Sequence, residues 1–514
     1  MKKIFASKIS ALIASLMIVS ALVPVLAFAN SFEGVPTSLS GTTNVTGQVY
    51  VTDSVYTTGK TIPVYVYGED NKTVVDVVYA TYASNGRYDI DFDVPSVTYS
   101  TYYYLNYHNV TQAVYYNPYY GGGGFPGFPS GGVIDGNGNV DGTQLTNLFA
   151  TDKNPTITST SDVVTIPADA LIKGETLTIK LEDGTSITLP IAALKLEEKA
   201  KSLGIELSAL DIKVELKKLT GDAAKAVSDA VYGIDAKPLA TPVDFKIIAV
   251  GGGKEEQYTK LDVYFKRTLP VIGSVDSDKV TGVVYNPDTK ELSFVPATFA
   301  TEGDKTIATL LRNSTSIYTV IQLDNVSFAD LANHWAKEDI ETLAAKLVVE
   351  GTGANKFEPK RNITRAEFAA LIVRSLGLDA TGTTSKFSDV SSSQWYAGVV
   401  ATAAEAGIVQ GDDKGKFNPN ANITRKELSA MVVRALGYAG KEVTLTDAEA
   451  SAALAAFTDA SSLGWAKAEV AAAVKSGIVL GQTTTKVVGD ASASRAEAAT
   501  MVIRLLGNAG FINN

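Results

Sequence analysis

The stretch Ile363-Thr364-Arg365-Ala366-Glu367-Phe368-Ala369-Ala370-Leu371-Ile372-Val373-Arg374-Ser375-Leu376-Gly377 decides how this chain is read. Thr364 and Glu367 have the spacing of a capping box, in which the hydroxyl accepts from the N3 amide and the carboxylate from the N-cap amide. Phe368, Leu371, Ile372 and Leu376 recur at helical spacing and give one apolar face. Gly377 suits a C-cap, and Arg374 suits the negative end of the helix dipole. Arg365 does not fit. A cation in the first turn faces the positive end of the dipole, where an acid is the usual choice. The same departure returns in Thr424-Arg425-Lys426-Glu427 and in Ser494-Arg495-Ala496-Glu497. A guanidinium beside free N-terminal amides would offer donors to a carboxylate or phosphate. The competing reading is an arginine paired with a nearby acid to orient its helix; three occurrences favour the anion site.

Around this stretch the chain repeats. Trp335, Trp395 and Trp465 are spaced 60 and then 70 residues apart, and Arg365, Arg425 and Arg495 follow the same spacing. The extra ten residues fall around Lys441 to Ala455. Each copy opens with Phe-x-Asp (Phe328/Asp330, Phe387/Asp389, Phe457/Asp459), continues into a Trp-led helix and ends that helix in Val-x-Gly (Val349/Gly351, Val409/Gly411, Val479/Gly481). A loop then leads to the capped helix started by Thr364/Glu367, Thr424/Glu427 or Ser494/Glu497. Two short helices cannot bury their apolar faces alone, so the three copies are expected to pack together.

These residues closely resemble the S-layer homology domain in its triple form, from surface proteins of Gram-positive bacteria. The likeness rests on Phe-x-Asp, the helix Trp, Phe-x-Pro (Phe357/Pro359, Phe417/Pro419) and Thr-Arg-Ala-Glu at matching offsets. It implies an all-α, pseudo-threefold bundle whose inter-repeat grooves bind pyruvylated secondary cell-wall polysaccharide. It further implies that Arg365, Arg425 and Arg495 engage the acidic ketal, and that Asp330, Asp389, Asp459, Trp335, Trp395 and Trp465 line the grooves. The residue types agree with that role: a forked cation for the carboxylate, an aromatic wall for the ring, acids for hydroxyls. Read from the residues alone, the tryptophans are equally compatible with core, the aspartates with caps for the helices that follow, and Thr364, Glu367, Thr424, Glu427, Ser494 and Glu497 with capping only. Repeat three departs from the pattern: Val487/Gly489 replace Phe-x-Pro, and the groove beside that loop is expected to be weakened.

The remaining organisation follows from composition. At 514 residues several domains are expected. The chain has no cysteine, which excludes disulfides and thiolate metal sites. Lys2, Lys3 and Lys8 precede an apolar run from Ile9 to Val25, and Ala27-Phe28-Ala29 fits a cleavage site, so residues 1–29 read as a secretory signal peptide. No later stretch reads as membrane-spanning, so no membrane insertion is expected after cleavage. Removing the three lysines takes the net charge from -10 to -13. Such an acidic chain argues against nucleic acid and anionic lipid as partners.

Residues 30–116 alternate as short strands, Ile62, Val64 and Val66 with Pro63, Tyr65 and Tyr67, and Asn85-Gly86 is a turn between Val74–Tyr82 and Tyr88–Val94; the region reads as a β-sandwich weakly similar to Ig-like or carboxypeptidase regulatory-like modules. Sixteen of the 23 tyrosines lie between Tyr50 and Tyr120; Tyr102 to Tyr104, Tyr115, Tyr116, Tyr119 and Tyr120 are compatible with an amphipathic contact surface and equally with the flanks of ordinary strands. Residues 117–132, with Gly121 to Gly124 and two Phe-Pro pairs, form a linker. Asn137, Asn139, Asp141 and Gly142 resemble the start of a calcium loop, but Leu148 occupies its twelfth position, so a polar turn is expected. Residues 133–325 form a β-rich α+β domain, with hairpins across Asp183-Gly184 and Asn286-Pro287-Asp288 and helical patterns at Leu194–Leu203 and Ala223–Val231. Repeats follow at 326–378, 386–438 and 456–508.

The expectation is therefore a secreted surface protein, held non-covalently in the cell wall by its repeats and displaying residues 30–325, with self-association in an S-layer lattice as one role. A wall-anchored glycan hydrolase and an adhesin are the alternatives. With only His108 and His334, no cysteine and every tryptophan inside the repeats, no catalytic residue, cofactor or metal is assigned and the chain is read as not an enzyme. A carboxylate pair would need neither residue type.

Overall fold

The computed structural model describes the backbone of eight strands between residues 31 and 117, and residues 133–513 in full apart from 274, 303–304 and 381–384. The expected signal peptide, the linker and the tyrosine side chains before residue 133 lie outside the described residues. The chain forms two units, Met1–Pro129 and Ser130–Asn514.

In the first unit all eight strands lie on one hydrogen-bonded path. Ile62, Val64 and Val66 fall on the strand Thr61–Tyr67, which pairs antiparallel with Val74–Ser84, Val64 facing Val78. Val74–Ser84 pairs in turn with Arg87–Asp93 on either side of Asn85-Gly86.

The second unit begins with the polar turn. Asp135 accepts from the amides of Asn137 and Asn139, and Asp141 caps helix α1 (Gly142–Thr151) by accepting from Thr143 and Gln144. Two six-stranded paths then sandwich a shared core. The Asp183-Gly184 hairpin forms as expected: Leu177 faces Leu189 and Ile179 faces Ile187, all four fully buried. Gly184 takes a φ of +101°, which a side chain would resist. The second expected hairpin also forms, with Val283 facing Phe294 and Tyr285 facing Leu292. Helices α2 (Ala168–Leu171), α3 (Leu196–Leu203) and α4 (Gly221–Tyr232) interrupt the strands, α3 and α4 where periodicity placed them.

From residue 327 the chain is helical. Repeat one supplies α5 (Lys337–Ala345) and α6 (Arg365–Ser375), repeat two α7 (Ala397–Glu405) and α8 (Arg425–Tyr438). The ten extra residues fold as α9 (Asp447–Ala453), with its own capping box from Thr446 and Glu449, before α10 (Lys467–Lys475) and α11 (Arg495–Ala509) of repeat three. All three expected capping boxes close.

The Val-x-Gly and Phe-x-Asp motifs explain one another. A Cβ on Gly351, Gly411 or Gly481 would stand 2.8, 2.6 or 2.7 Å from the ring of Phe328, Phe387 or Phe457, so glycine is what lets each ring close over its own repeat. At the centre, Ile423 donates its amide to Ile363 O (3.0 Å), Ala493 to Ile423 O (2.9 Å) and Ile363 to Ala493 O (3.0 Å). That ring of three hydrogen bonds closes the pseudo-threefold bundle.

The bundle and the central domain are not beads on a string. The Tyr264 hydroxyl donates to Leu376 O at 2.6 Å, Ala297 N to Phe511 O at 2.8 Å, and Asn513 exchanges two hydrogen bonds with the backbone of Phe299. Buried Lys346 of repeat one donates to Ser277 O and Val280 O, and Phe294 belongs to the bundle's own core.

Candidate functional site

The three motif arginines lie at equivalent places, and each reaches across to the next repeat. Arg365 donates from Nε to Phe417 O at 2.8 Å and from Nη1 to Glu427 at 2.8 Å. Arg425 donates to Val487 O at 2.9 Å and pairs with Glu497. Arg495 donates to Phe357 O at 2.9 Å and to Glu350 O at 3.0 Å. The cycle runs from repeat one to two, two to three and three back to one.

The helix amides are not free, contrary to the expectation that made these termini anion sites. The amides of Arg365 and Ala366 donate to Ala421 O and Pro419 O, those of Arg425 and Lys426 to Ala491 O and Gly489 O, and those of Arg495 and Ala496 to Arg361 O and Pro359 O. Each N-terminus is therefore closed by the loop of the following repeat, and N3 by the cap hydroxyl. Thr364, Thr424 and Ser494 are caps. Glu367, Glu427 and Glu497 cap and also face the preceding repeat's arginine.

Open grooves nevertheless lie beside all three arginines. Groove 1 (about 430 Å³) brings together Arg365 of repeat one, Glu427 and Arg434 of repeat two, and Trp465 of repeat three. Groove 2 (about 810 Å³) brings together Arg425, Glu497, Arg504 and Trp335. Groove 3 (about 190 Å³) brings together Arg495, Glu367, Arg374 and Trp395. Every groove thus draws its motif arginine from one repeat, its Glu and a second arginine from the next, and its tryptophan from the third. The tryptophans are not core: Trp335, Trp395 and Trp465 are 65, 61 and 60 % exposed.

Of the second arginines, the sequence singles out Arg374 alone, as a complement to the helix dipole, and neither Arg434 nor Arg504. Arg374, Arg434 and Arg504 each follow the motif arginine by nine residues. Their contacts are lighter. Arg434 meets Glu469 at 3.1 Å, Arg504 donates to Ile478 O at 3.3 Å, and Arg374 stands 3.5 Å from Glu350. Their identical offsets in three repeats were the signal that would have found them.

The aspartates stand elsewhere. Asp330 accepts from the amides of Phe357 and Glu358, Asp389 from Phe417 and Asn418, and Asp459 from Val487 and Val488, at 2.7–3.0 Å. They fasten the loop ahead of the capped helix rather than cap the helix that follows them, and none lines a groove described above. Burial pushes the Asp330 and Asp459 carboxyls up, but those amide donors outweigh it and hold both below the ordinary range.

The grooves differ in charge. In groove 3, Arg361 replaces the alanines Ala421 and Ala491 of the other repeats and takes Glu367 at 2.7 Å, which leaves Arg495 4.0 Å from that carboxylate. Burial, together with Arg361 nearby, depresses the Arg495 guanidinium below its usual range. Groove 2 adds Lys360 to its two arginines, with Glu497 as its acid, whereas groove 1 balances Arg365 and Arg434 against Asp412 and Glu427. The altered loop of repeat three keeps its backbone contact, since Val487 O still accepts from Arg425. What it loses is the ring: Arg365 and Arg495 lie over Phe417 and Phe357 at 5.0 and 4.4 Å from the ring centroids. The groove beside Val487 is the largest of the three.

The family model of the S-layer homology domain matches residues 327–369, 386–429 and 456–499. The chain is similar to an amylopullulanase of Thermoanaerobacterium thermosulfurigenes, 36 % identical over 248 residues, which is 48 % of this chain and 13 % of that protein. It is 37 % identical over 183 residues to the exoglucanase XynX of Acetivibrio thermocellus, covering 35 and 16 % of the two chains. With an S-layer protein of Bacillus thuringiensis subsp. finitimus it shares 31 % over 179 residues, 35 and 21 % of the two. The chain spans 13 to 21 % of the length of these relatives. Three matched repeats closing one ring, with three equivalent grooves, identify the segment 327–499 as three S-layer homology domains.

Proposed function

We propose that this protein is a surface protein held non-covalently to the cell wall, its three grooves gripping an acidic wall polysaccharide that carries pyruvyl ketals. The observation that carries the reading is the recurrence, three times, of an exposed tryptophan facing a lightly held arginine and a motif arginine. A sugar ring stacks on the indole while the ketal carboxylate takes the arginine's forked donors. In this reading the motif arginine is first a clasp between repeats and only then a wall of the groove. The second arginine, with fewer partners to give up, meets the carboxylate.

Each such contact contributes roughly 1.5–3 kcal/mol, and several grooves on one polymer add avidity because later contacts are intramolecular. The sequence signature of a secretory signal peptide supports export. The rest of the chain then serves display, as a lattice subunit, a reading supported by the S-layer protein among its relatives. The hydrolase names among the relatives describe proteins of which this chain covers 13 and 16 %, and nothing catalytic is carried over from them.

Co-sedimentation of the purified protein with wall sacculi, with and without pyruvylation, tests the reading. Retention on the pyruvylated sacculi alone is expected. Equal retention on both would remove the ketal from the proposal, and retention on neither would remove the anchor.

A further inference from the structure

Between the central domain and repeat one lies a cavity of about 610 Å³ that is not one of the three inter-repeat grooves. Leu347 and Leu378 give it apolar wall, and Lys290, Arg312 and Arg374 give it cationic wall, with Glu291 and Glu350 as its acids. Arg312 is the unusual member. Its side chain is 2 % exposed; Nε donates to Ser314 Oγ at 3.0 Å, Nη2 pairs with Asp379, and Nη1 has no partner among the described residues. A buried guanidinium with an idle donor is costly, and an anionic oxygen is the group that relieves it.

This cavity adjoins groove 3. Glu350 and Arg374 line both spaces, and Arg495 of groove 3 donates to Glu350 O. Groove 3 is also the groove with three arginines, Arg361, Arg374 and Arg495. The central domain is pinned to repeat one by Tyr264, Lys346 and the Arg312–Asp379 pair, so the second space is held open in register with the first.

We propose that the interdomain cavity is a fourth saccharide subsite, which takes a second acidic sugar unit of a chain already seated in groove 3. One unit lies against Trp395 and Arg495; the chain passes Arg374, and the next acidic unit rests on Leu347 and Leu378 with its anion toward Arg312 and Lys290. This rests on the reading of the grooves as polymer sites and makes the central domain part of the wall grip.

Ser293, an exposed residue lining the cavity on the strand Leu292–Val295, gives a variant that fills the cavity without touching a groove. Ser293→Trp and Lys290→Glu in the full chain are titrated calorimetrically with purified wall polysaccharide and with a pyruvylated monosaccharide. Both substitutions are expected to weaken the polysaccharide about tenfold, equivalent to roughly 1.4 kcal/mol, and to leave the monosaccharide affinity unchanged. Polysaccharide binding by both variants at the unmodified protein's affinity overturns the fourth subsite and leaves the grooves standing. Failure of the unmodified protein to bind either ligand overturns the groove reading and this extension with it.

Discussion

Arg425 and Glu497 form an ion pair across the boundary between repeats two and three, with the guanidinium 3 % exposed. Nothing in the local sequence of either helix asks for it, because the two residues are 72 positions apart. The pair closes one side of a ring, and the same arginine also satisfies Val487 O. Removing the guanidinium leaves a half-buried carboxylate and an orphaned carbonyl, a change that typically costs roughly 3–5 kcal/mol. Arg425→Ala is therefore expected to lower the thermal midpoint of the bundle markedly. Arg365→Ala should cost less, since Glu427 is more exposed than Glu497. Melting curves followed by circular dichroism would show the ranking; equal, negligible losses would mean the arginines serve ligand alone.

The second arginines carry the opposite expectation. Arg434 holds one partly exposed acid and Arg504 one carbonyl, contacts of a kind that contribute at most about 1 kcal/mol to stability. Arg434→Ala and Arg504→Ala together should leave the melt nearly unchanged while weakening retention on pyruvylated sacculi to what groove 3 alone supports. Undiminished binding in the double variant, at an unchanged melting temperature, would shift the anion's partner back to the motif arginines.

The exposed tryptophans sharpen that contrast. Surface substitutions away from packed features usually lie within about 0.5 kcal/mol of neutral. Trp335→Ala, Trp395→Ala and Trp465→Ala should therefore each be thermally silent. Their effect on wall retention is expected to follow groove charge, with Trp335 and Trp395 mattering more than Trp465, because groove 1 balances its cations with acids. Pull-down with sacculi over a protein concentration series gives the order, and a dominant loss at Trp465 would break the link between charge and grip.

The capping boxes, the hairpins at Gly184 and Asn286, and the tripling of the unit were legible because each is written in residues a few positions apart. Arg365 was also legible as an anomaly, but not its cause. A cation at N1 is tolerable here because the helix amides it would repel are already bonded to Pro419 O and Ala421 O, contacts more than fifty residues away. The ambiguity of the tryptophans has the same origin, since helical spacing cannot tell an indole at a repeat boundary from one in a core. The docking of the bundle on the central domain left no periodic trace at all: Phe511, Asn513 and Lys346 are ordinary residues in their own elements.

Lys346 gives the test of that docking. Buried against Ser277 O and Val280 O, its ammonium is pushed down to about 8 by desolvation, against the opposing pull of Asp278 and Asp276. A lysine whose folded pKa lies below its unfolded value binds fewer protons when folded across that interval. The unfolded chain then takes up the extra proton, so stability rises as pH climbs from about 8 toward the usual lysine range. The increment is bounded at about 3 kcal/mol, and it should be read below pH 10, before the buried tyrosines Tyr258 and Tyr264, whose pKa values burial raises, begin to oppose it. Urea unfolding of residues 130–514 at pH 7.5 and 9.5 should show the gain, and Lys346→Met should abolish it while stabilising the protein at the lower pH. A wild-type curve as flat as that of the methionine variant would mean that the ammonium is solvated, and that repeat one does not close on the central domain as described.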